Sequence, residues 1–149
     1  MRIYITRMSI DSKVQNATFH QKAYALIDAL NELGNKTVYI SDLEFNDYEY
    51  IGIYKALATC DCLLAFTDRY TFSSTWRASE ITYAICGMGA REKVEFHIPV
   101  FLYRGIDDYS GAFLESTIKQ PDVFVLPDKI ASAARSLVVK MAEIKKNGL

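Results

Sequence analysis

Five short apolar runs alternate along the chain with segments of helical periodicity, and this alternation is the feature that most constrains the fold. The runs are rich in β-branched and aromatic residues, and several show no polar alternation, which is typical of strands buried on both faces. They are residues 3–5, 37–40, 62–66, 98–103 and 123–126. The order βαβαβαβαβα predicts an α/β fold in which a five-stranded parallel sheet carries helices on both faces.

The segments between the runs repeat their apolar residues at helical spacing. The first helix is expected over residues 19–33 and ends at Gly34, because glycine is common just past a helix C-terminus. Further helices are expected over residues 50–57, 76–88, 112–118 and 130–141. Ser73 or Ser74 suits the N-cap of the third helix, which fixes where that helix begins.

Composition excludes several classes of function. The chain has 149 residues, half of them apolar, which suits one domain over residues 1–149. Its net charge of −1 argues against a nucleic-acid partner bound by neutralising many phosphates. No apolar stretch is long enough for a membrane span or a leader, so no membrane partner is expected and the interpretation is a cytoplasmic protein. The three cysteines have no second pair at zinc-binding spacing, so no metal site is expected.

The loops that follow the strands are where a ligand site is expected, because open parallel sheets bind ligands beyond the carboxyl ends of their strands. These loops are residues 7–14, 41–47, 68–76 and 104–111. The first has no glycine, which excludes the dinucleotide fingerprint and the P-loop. His20 and His97 fall away from the strand ends, so a histidine-based catalytic triad has no support.

The segment that joins the third strand to the third helix carries the clearest candidate site. Trp76 and Glu80 are four residues apart, so they share one face of a helix that begins near Ser74. Tyr70 and Phe72 add aromatic rings at the same strand end. A carboxylate beside aromatic rings indicates a nucleotide pocket. The alternative is a solvated glutamate beside a tryptophan that packs its helix against the sheet.

The motif SSTWRASE at residues 73–80 consists of a serine-rich loop, a tryptophan, three residues and a glutamate. In this it resembles a Toll/interleukin-1 receptor (TIR) domain. The strand at residues 3–6, the helix at 53–61 and the segments 98–101 and 111–113 extend the likeness over most of the chain. The resemblance implies a flavodoxin-like, TIR-like three-layer sandwich.

Enzymatic members of the TIR family cleave NAD between nicotinamide and ribose, and the resemblance places their glutamate at Glu80. It implies ADP-ribose or a cyclic product in immune or antiphage signalling, NAD as the substrate with no separate cofactor, and a homo-oligomer as the active form. The chemistry agrees with one catalytic carboxylate. Nicotinamide departs as a neutral molecule, so a group that stabilises the oxocarbenium-like charge suffices without a general acid.

Six further residues are candidates for binding the nucleotide. Arg7 ends the first strand, where it can meet a diphosphate, and Asp42 follows the second, where α/β folds often place a ribose-binding acid. The other four supply aromatic rings or hydroxyl groups beside Glu80. The six are Arg7, Asp42, Tyr70, Ser73, Ser74 and Trp76. The alternatives left open are that Arg7 faces solvent, that one of the two serines only caps the helix, and that Trp76 only packs. The pair Asp68-Arg69 is interpreted as an exposed ion pair.

Two other functions compete with NAD cleavage. The first is a nucleoside 2-deoxyribosyltransferase or nucleotide N-glycosidase, a family with a similar sheet and helix glutamate that Cys60-Asp61 and residues 80–84 resemble. Its Gly-Pro turn after the first strand is replaced here by Arg7-Met8-Ser9, and loss of a neutral base needs a proton donor that the sequence does not identify. The second is a non-catalytic TIR-like module that self-associates through exposed tyrosines.

Overall fold

The apolar runs form the strands of a parallel sheet. The computed structural model of the chain describes residues 1–8, 10–39, 51–68, 70, 74–86, 100–104, 122–125 and 129–146. The strands are β1 (Arg2–Thr6), β2 (Lys36–Val38), β3 (Cys62–Thr67), β4 (Val100–Arg104) and β5 (Asp122–Val125). They form one five-stranded sheet in the order β2-β1-β3-β4-β5, and every neighbouring pair is parallel. The strand order reverses at β1 and β3, the place where doubly wound sheets of this order bind ligands.

Helices cover both faces of this sheet. They are α1 (Ile10–Gln15), α2 (Ala17–Glu32), α3 (Ile51–Ala58), α4 (Thr75–Cys86) and α5 (Ile130–Lys146). Helices α2 and α5 bury their apolar side chains with one face of the sheet, and α3 and α4 with the other. The predicted α/β class, with a parallel sheet and packed helices, is therefore confirmed.

The two central strands explain why the apolar runs lack polar alternation. In β1, Ile3 and Ile5 belong to the core with α2 and α5, whereas Tyr4 belongs to the core with α3 and α4. All residues of β3 are buried. Because both faces of these strands are withdrawn from water, their polar residues Thr6 and Thr67 are buried as well.

Helix α1 corrects one expectation from the sequence, which predicts a loop over residues 7–14. It is only six residues long. Helices of that length are marginal in water on their own, so α1 depends on its contact with α2 rather than on a pattern that can be read from sequence. The predicted helix over residues 112–118 lies outside the described residues, and the other predicted helices appear as α2, α3, α4 and α5.

Gly34 ends α2, as the sequence predicts. The amides of Leu33 and Gly34 donate hydrogen bonds to the carbonyls of Ala29 and Asn31 at 3.1 and 3.0 Å. The φ angle of Gly34 is +89°, in a region that side chains with a β-carbon rarely adopt. The chain can therefore leave α2 and enter β2 after three residues.

Replacing Gly34 by alanine is expected to lower the free energy of unfolding by about 1–2 kcal/mol. An added β-carbon would meet no atom within 4 Å, so the cost is conformational and not steric. Gly34→Asn should cost less, because asparagine tolerates left-handed backbone better. Urea unfolding of the three proteins measures the difference, and an alanine variant as stable as the wild type would contradict the assignment.

Candidate active site

Glu80 is a buried carboxylate beside the two central strands. Its side chain is 3% exposed, and α4, which carries it, packs against β1, β3 and β4. The hydroxyl groups of Tyr4 and Thr6, both on β1, lie close enough to act on its ionisation. Glu80 is therefore buried on the side of α4 that packs against the sheet, and the alternative of a solvated surface glutamate is wrong.

The sequence of α4 explains why Glu80 faces the sheet. The Ser74 carbonyl accepts a hydrogen bond from the Ala78 amide at 3.1 Å, which starts the helix at Thr75. Trp76, Glu80 and Ala84 then follow at intervals of four, so they share one face. Ala84 is buried in the α3 and α4 core and Trp76 packs against it, so that face is the one turned to the sheet.

Burial raises the pKa of Glu80 to about 7, because the low-dielectric surroundings disfavour the charged form. The neighbouring groups of Tyr4, Thr6, Arg77 and Trp76 favour the carboxylate and offset part of this effect. Burial and the charge of Glu80 also raise the pKa of Tyr4 well above its usual range, so its hydroxyl stays protonated. The carboxyl therefore changes charge near neutral pH, which is a property common among catalytic acids and bases.

Within the described part of the chain, several buried polar atoms on β1, β3 and α4 lack a hydrogen-bond partner. Among the described residues, no hydrogen-bond partner is found for Glu80 Oε2, Tyr4 Oη, Thr6 Oγ1 or Thr67 Oγ1, although each of these atoms is buried. A buried polar group without a partner costs about 1–3 kcal/mol, and native proteins contain few of them. Several such atoms at the carboxyl edge of β1 and β3 indicate a place where a ligand supplies the missing partners.

Asp68 is a second buried acid at this edge. It follows β3 directly and its side chain is fully buried. Its Oδ1 accepts a hydrogen bond from the Tyr70 amide at 2.9 Å, and the Tyr70 carbonyl accepts one from Arg77 Nη2 at 3.2 Å. The sequence interpretation of Asp68 as part of an exposed ion pair is therefore wrong, since burial at the end of a central strand decides its environment.

Of the other predicted site residues, three lie on or next to α4, one lies on the other side of the sheet and two lie outside the described residues. Trp76 lies one turn before Glu80, and Tyr70 is tied to α4 through Arg77. Ser74 lies at the start of α4. Arg7 is exposed and lies on the α2 side of β1, with its guanidinium carbon 4.1 Å from the centre of the Tyr39 ring, so the structure does not bring it to Glu80. Ser73 and Asp42 lie outside the described residues.

The sequence does not identify four polar residues of this region as site residues: Tyr4, Thr6, Thr67 and Asp68. For three of them the sequence does contain a signal that could have identified them. Tyr4, Thr6 and Thr67 stand in or directly after otherwise apolar strand runs. A polar side chain in a strand that is buried on both faces must find a partner or a ligand.

The raised pKa of Glu80 makes stability depend on pH. The folded protein keeps a proton that the unfolded chain releases, so stability is expected to fall as the pH rises from about 4.5 to about 7, in total by about 3 kcal/mol. Glu80→Gln resembles the protonated form, so it should be more stable than the wild type at pH 8 and close to it at pH 5. The urea midpoints of the wild type and Glu80→Gln at pH 5 and pH 8 measure this. A difference between the two proteins that is the same at both pH values would contradict the raised pKa of Glu80.

The described ranges contain neither a metal-binding cluster nor a membrane-spanning helix. No group of three or more His, Cys, Asp or Glu side chains that could hold a metal ion is found there. None of the helices in the described part of the chain combines the length and the apolar character that a membrane crossing requires.

Comparison with solved structures shows which fold this is similar to. The structure of a CMP N-glycosidase, BcmB, from Clostridium botulinum is 18% identical and superimposes with a TM-score of 0.52. The match covers 93% of this chain and 99% of that chain. No protein-family model matches the chain, and no curated protein does. At this identity the likeness establishes the fold alone.

Proposed function

We propose that this chain is a nucleotide N-glycosidase that hydrolyses the bond between a nucleobase and sugar C1′, with Glu80 as the catalytic carboxylate. The observation that carries the proposal is the burial of Glu80 among unpaired polar atoms where the strand order reverses. The fold of the CMP N-glycosidase supports it. We favour this function over NAD cleavage, and the product analysis below includes NAD as a substrate.

Glu80 acts on the charge that develops at C1′. As the C1′–N bond breaks, positive charge spreads over C1′ and the ring oxygen. A carboxylate held in a low-dielectric site stabilises this charge far more strongly than it would in water. The Tyr4 hydroxyl, which stays protonated, and the Thr6 hydroxyl lie near the carboxyl and help to hold its position.

Asp68 answers the need for a proton donor. A neutral base leaves as an anion unless it is protonated, so its cleavage requires an acid in addition to the carboxylate at C1′. Among the described residues, Asp68 is the buried acid at this sheet edge besides Glu80, and we assign it this role. Water then adds across the broken bond. Its oxygen bonds to C1′ and one of its protons restores Asp68, which has given its own proton to the base, so the products are a free base and a sugar phosphate.

Product analysis tests this proposal. The wild type is incubated with the common nucleoside 5′-monophosphates, the matching nucleosides and NAD, and the products are identified by mass spectrometry. We expect free base and sugar phosphate from at least one nucleotide. Cleavage of NAD alone, with release of nicotinamide, would overturn the proposal in favour of the TIR-type activity.

A further inference from the structure

Two buried threonine hydroxyls on neighbouring strands have no contact with the substrate in the proposed reaction. Thr6 ends β1 and Thr67 ends β3, and their side chains are 2% and 0% exposed. Neither Oγ1 atom has a hydrogen-bond partner among the described residues. Isolated buried hydroxyls are costly, and two at adjacent strand ends require an explanation.

Strand register places both hydroxyls on the side of Glu80. Thr6 pairs with Ala65, so Thr67 lies two residues further along the neighbouring strand. Side chains alternate along each strand, and Tyr4 and Ala65 belong to the core with α3 and α4. Thr6 and Thr67 therefore face α4, the helix that carries Glu80.

We propose that Thr6 and Thr67 bind the 2′-hydroxyl of the sugar, so that ribonucleotides and not 2′-deoxyribonucleotides are the substrates. This inference rests on the proposed function. Glu80 must face C1′ to stabilise its charge, and C2′ is bonded to C1′, so the 2′-hydroxyl comes next to the groups that flank the carboxylate. Thr6 is such a group, since it acts on the ionisation of Glu80.

The chemistry of the hydroxyl group fits this pair. A ribose 2′-hydroxyl donates one hydrogen bond and accepts others, and a threonine hydroxyl can do either. A 2′-deoxy sugar would leave both threonine oxygens buried and unpaired, and sites built to bind a substrate hydroxyl discriminate strongly against analogues that lack it. Hydrogen bonds to the hydroxyl next to the reacting carbon also strengthen in the transition state of glycoside cleavage.

The test compares a nucleoside 5′-monophosphate with its 2′-deoxy counterpart by kcat/KM. The wild type should prefer the ribonucleotide by at least about a hundredfold, and Thr67→Val should reduce this preference by about ten- to a hundredfold. Thr67→Ser keeps the hydroxyl and should retain the preference. Thr18→Val, an exposed change on α2, is the matched control and should leave the ratio unchanged.

A binding experiment separates this inference from the proposed function. Calorimetry measures ribose 5-phosphate and 2-deoxyribose 5-phosphate binding to Glu80→Gln with and without Thr67→Val. Tighter binding of ribose 5-phosphate that depends on Thr67 supports the inference even if no nucleotide is cleaved. Efficient cleavage of both nucleotides, or a preference unchanged in Thr67→Val, would overturn the inference while leaving the N-glycosidase function standing. Equal binding of the two sugars would overturn it as well.

Discussion

Glu80→Gln is expected to lower the rate of base release by at least about a thousandfold. Glutamine has nearly the same shape but carries no charge, so it cannot stabilise the positive charge that develops at C1′. The loss should appear in kcat more than in KM, because that charge is present in the transition state and absent from the bound substrate. Initial rates of base release, followed by chromatography at saturating and limiting nucleotide, separate the two parameters.

The loss of activity in Glu80→Gln must be distinguished from a loss of folding. Burial of the charged form opposes folding, so the neutral variant is expected to be at least as stable as the wild type at neutral pH. Glu143→Gln makes the same chemical change at an exposed position of α5 and should leave the rate unaltered. Base release by Glu80→Gln within tenfold of the wild-type rate would remove Glu80 from the mechanism.

The elements that the sequence predicts correctly are those whose pattern is set locally. Each strand run is short, apolar and rich in β-branched residues, and α2 has both an apolar stripe and Gly34 after it. The common helix face of Trp76 and Glu80 is predicted in the same way, from their spacing. None of these inferences needs a contact between residues distant in sequence.

The residues that complete the site depend on such contacts. Thr67 and Asp68 adjoin an apolar run, but only the position of β3 between β1 and β4 decides that both are buried. Arg7 directly follows β1, but side-chain alternation places it on the α2 side with Ile3 and Ile5, where it contacts the ring of Tyr39. Strand order and helix placement determine these environments, and a single sequence contains no direct signal for either.

The lack of a sequence signal for strand order and helix placement also explains why the sequence favours NAD cleavage. The Trp76 and Glu80 spacing is short, and a glutamate on the helix after the third strand is compatible with either resemblance. Because the sequence identifies only one candidate catalytic carboxylate, cleavage that releases a base needing no proton is the simpler reaction. The burial of Asp68 adds a second acid at the sheet edge, so release of an uncharged base becomes chemically reasonable.

Asp68→Asn is expected to slow the release of uncharged bases by about 10²–10⁴-fold, while slowing release of a cationic base by less than about tenfold. A cationic base, such as the one in 7-methylguanosine 5′-monophosphate, departs as a neutral molecule and needs no acid. Asparagine keeps an oxygen that can accept the hydrogen bond that Asp68 Oδ1 receives from the Tyr70 amide, so the turn after β3 should persist. Rates for an ordinary nucleotide and its methylated counterpart provide the comparison.

The ratio of the two rates separates catalysis by Asp68 from a structural role. If Asp68 only shaped the loop, its replacement would slow both nucleotides equally, because both sugars meet the same Glu80. A proton donor acts on one class of base alone, so only the ordinary nucleotide should respond. Asp28→Asn, an exposed change on α2, should alter neither rate. Equal slowing in Asp68→Asn would therefore leave Glu80 as the single catalytic carboxylate, which is the arrangement that NAD cleavage requires.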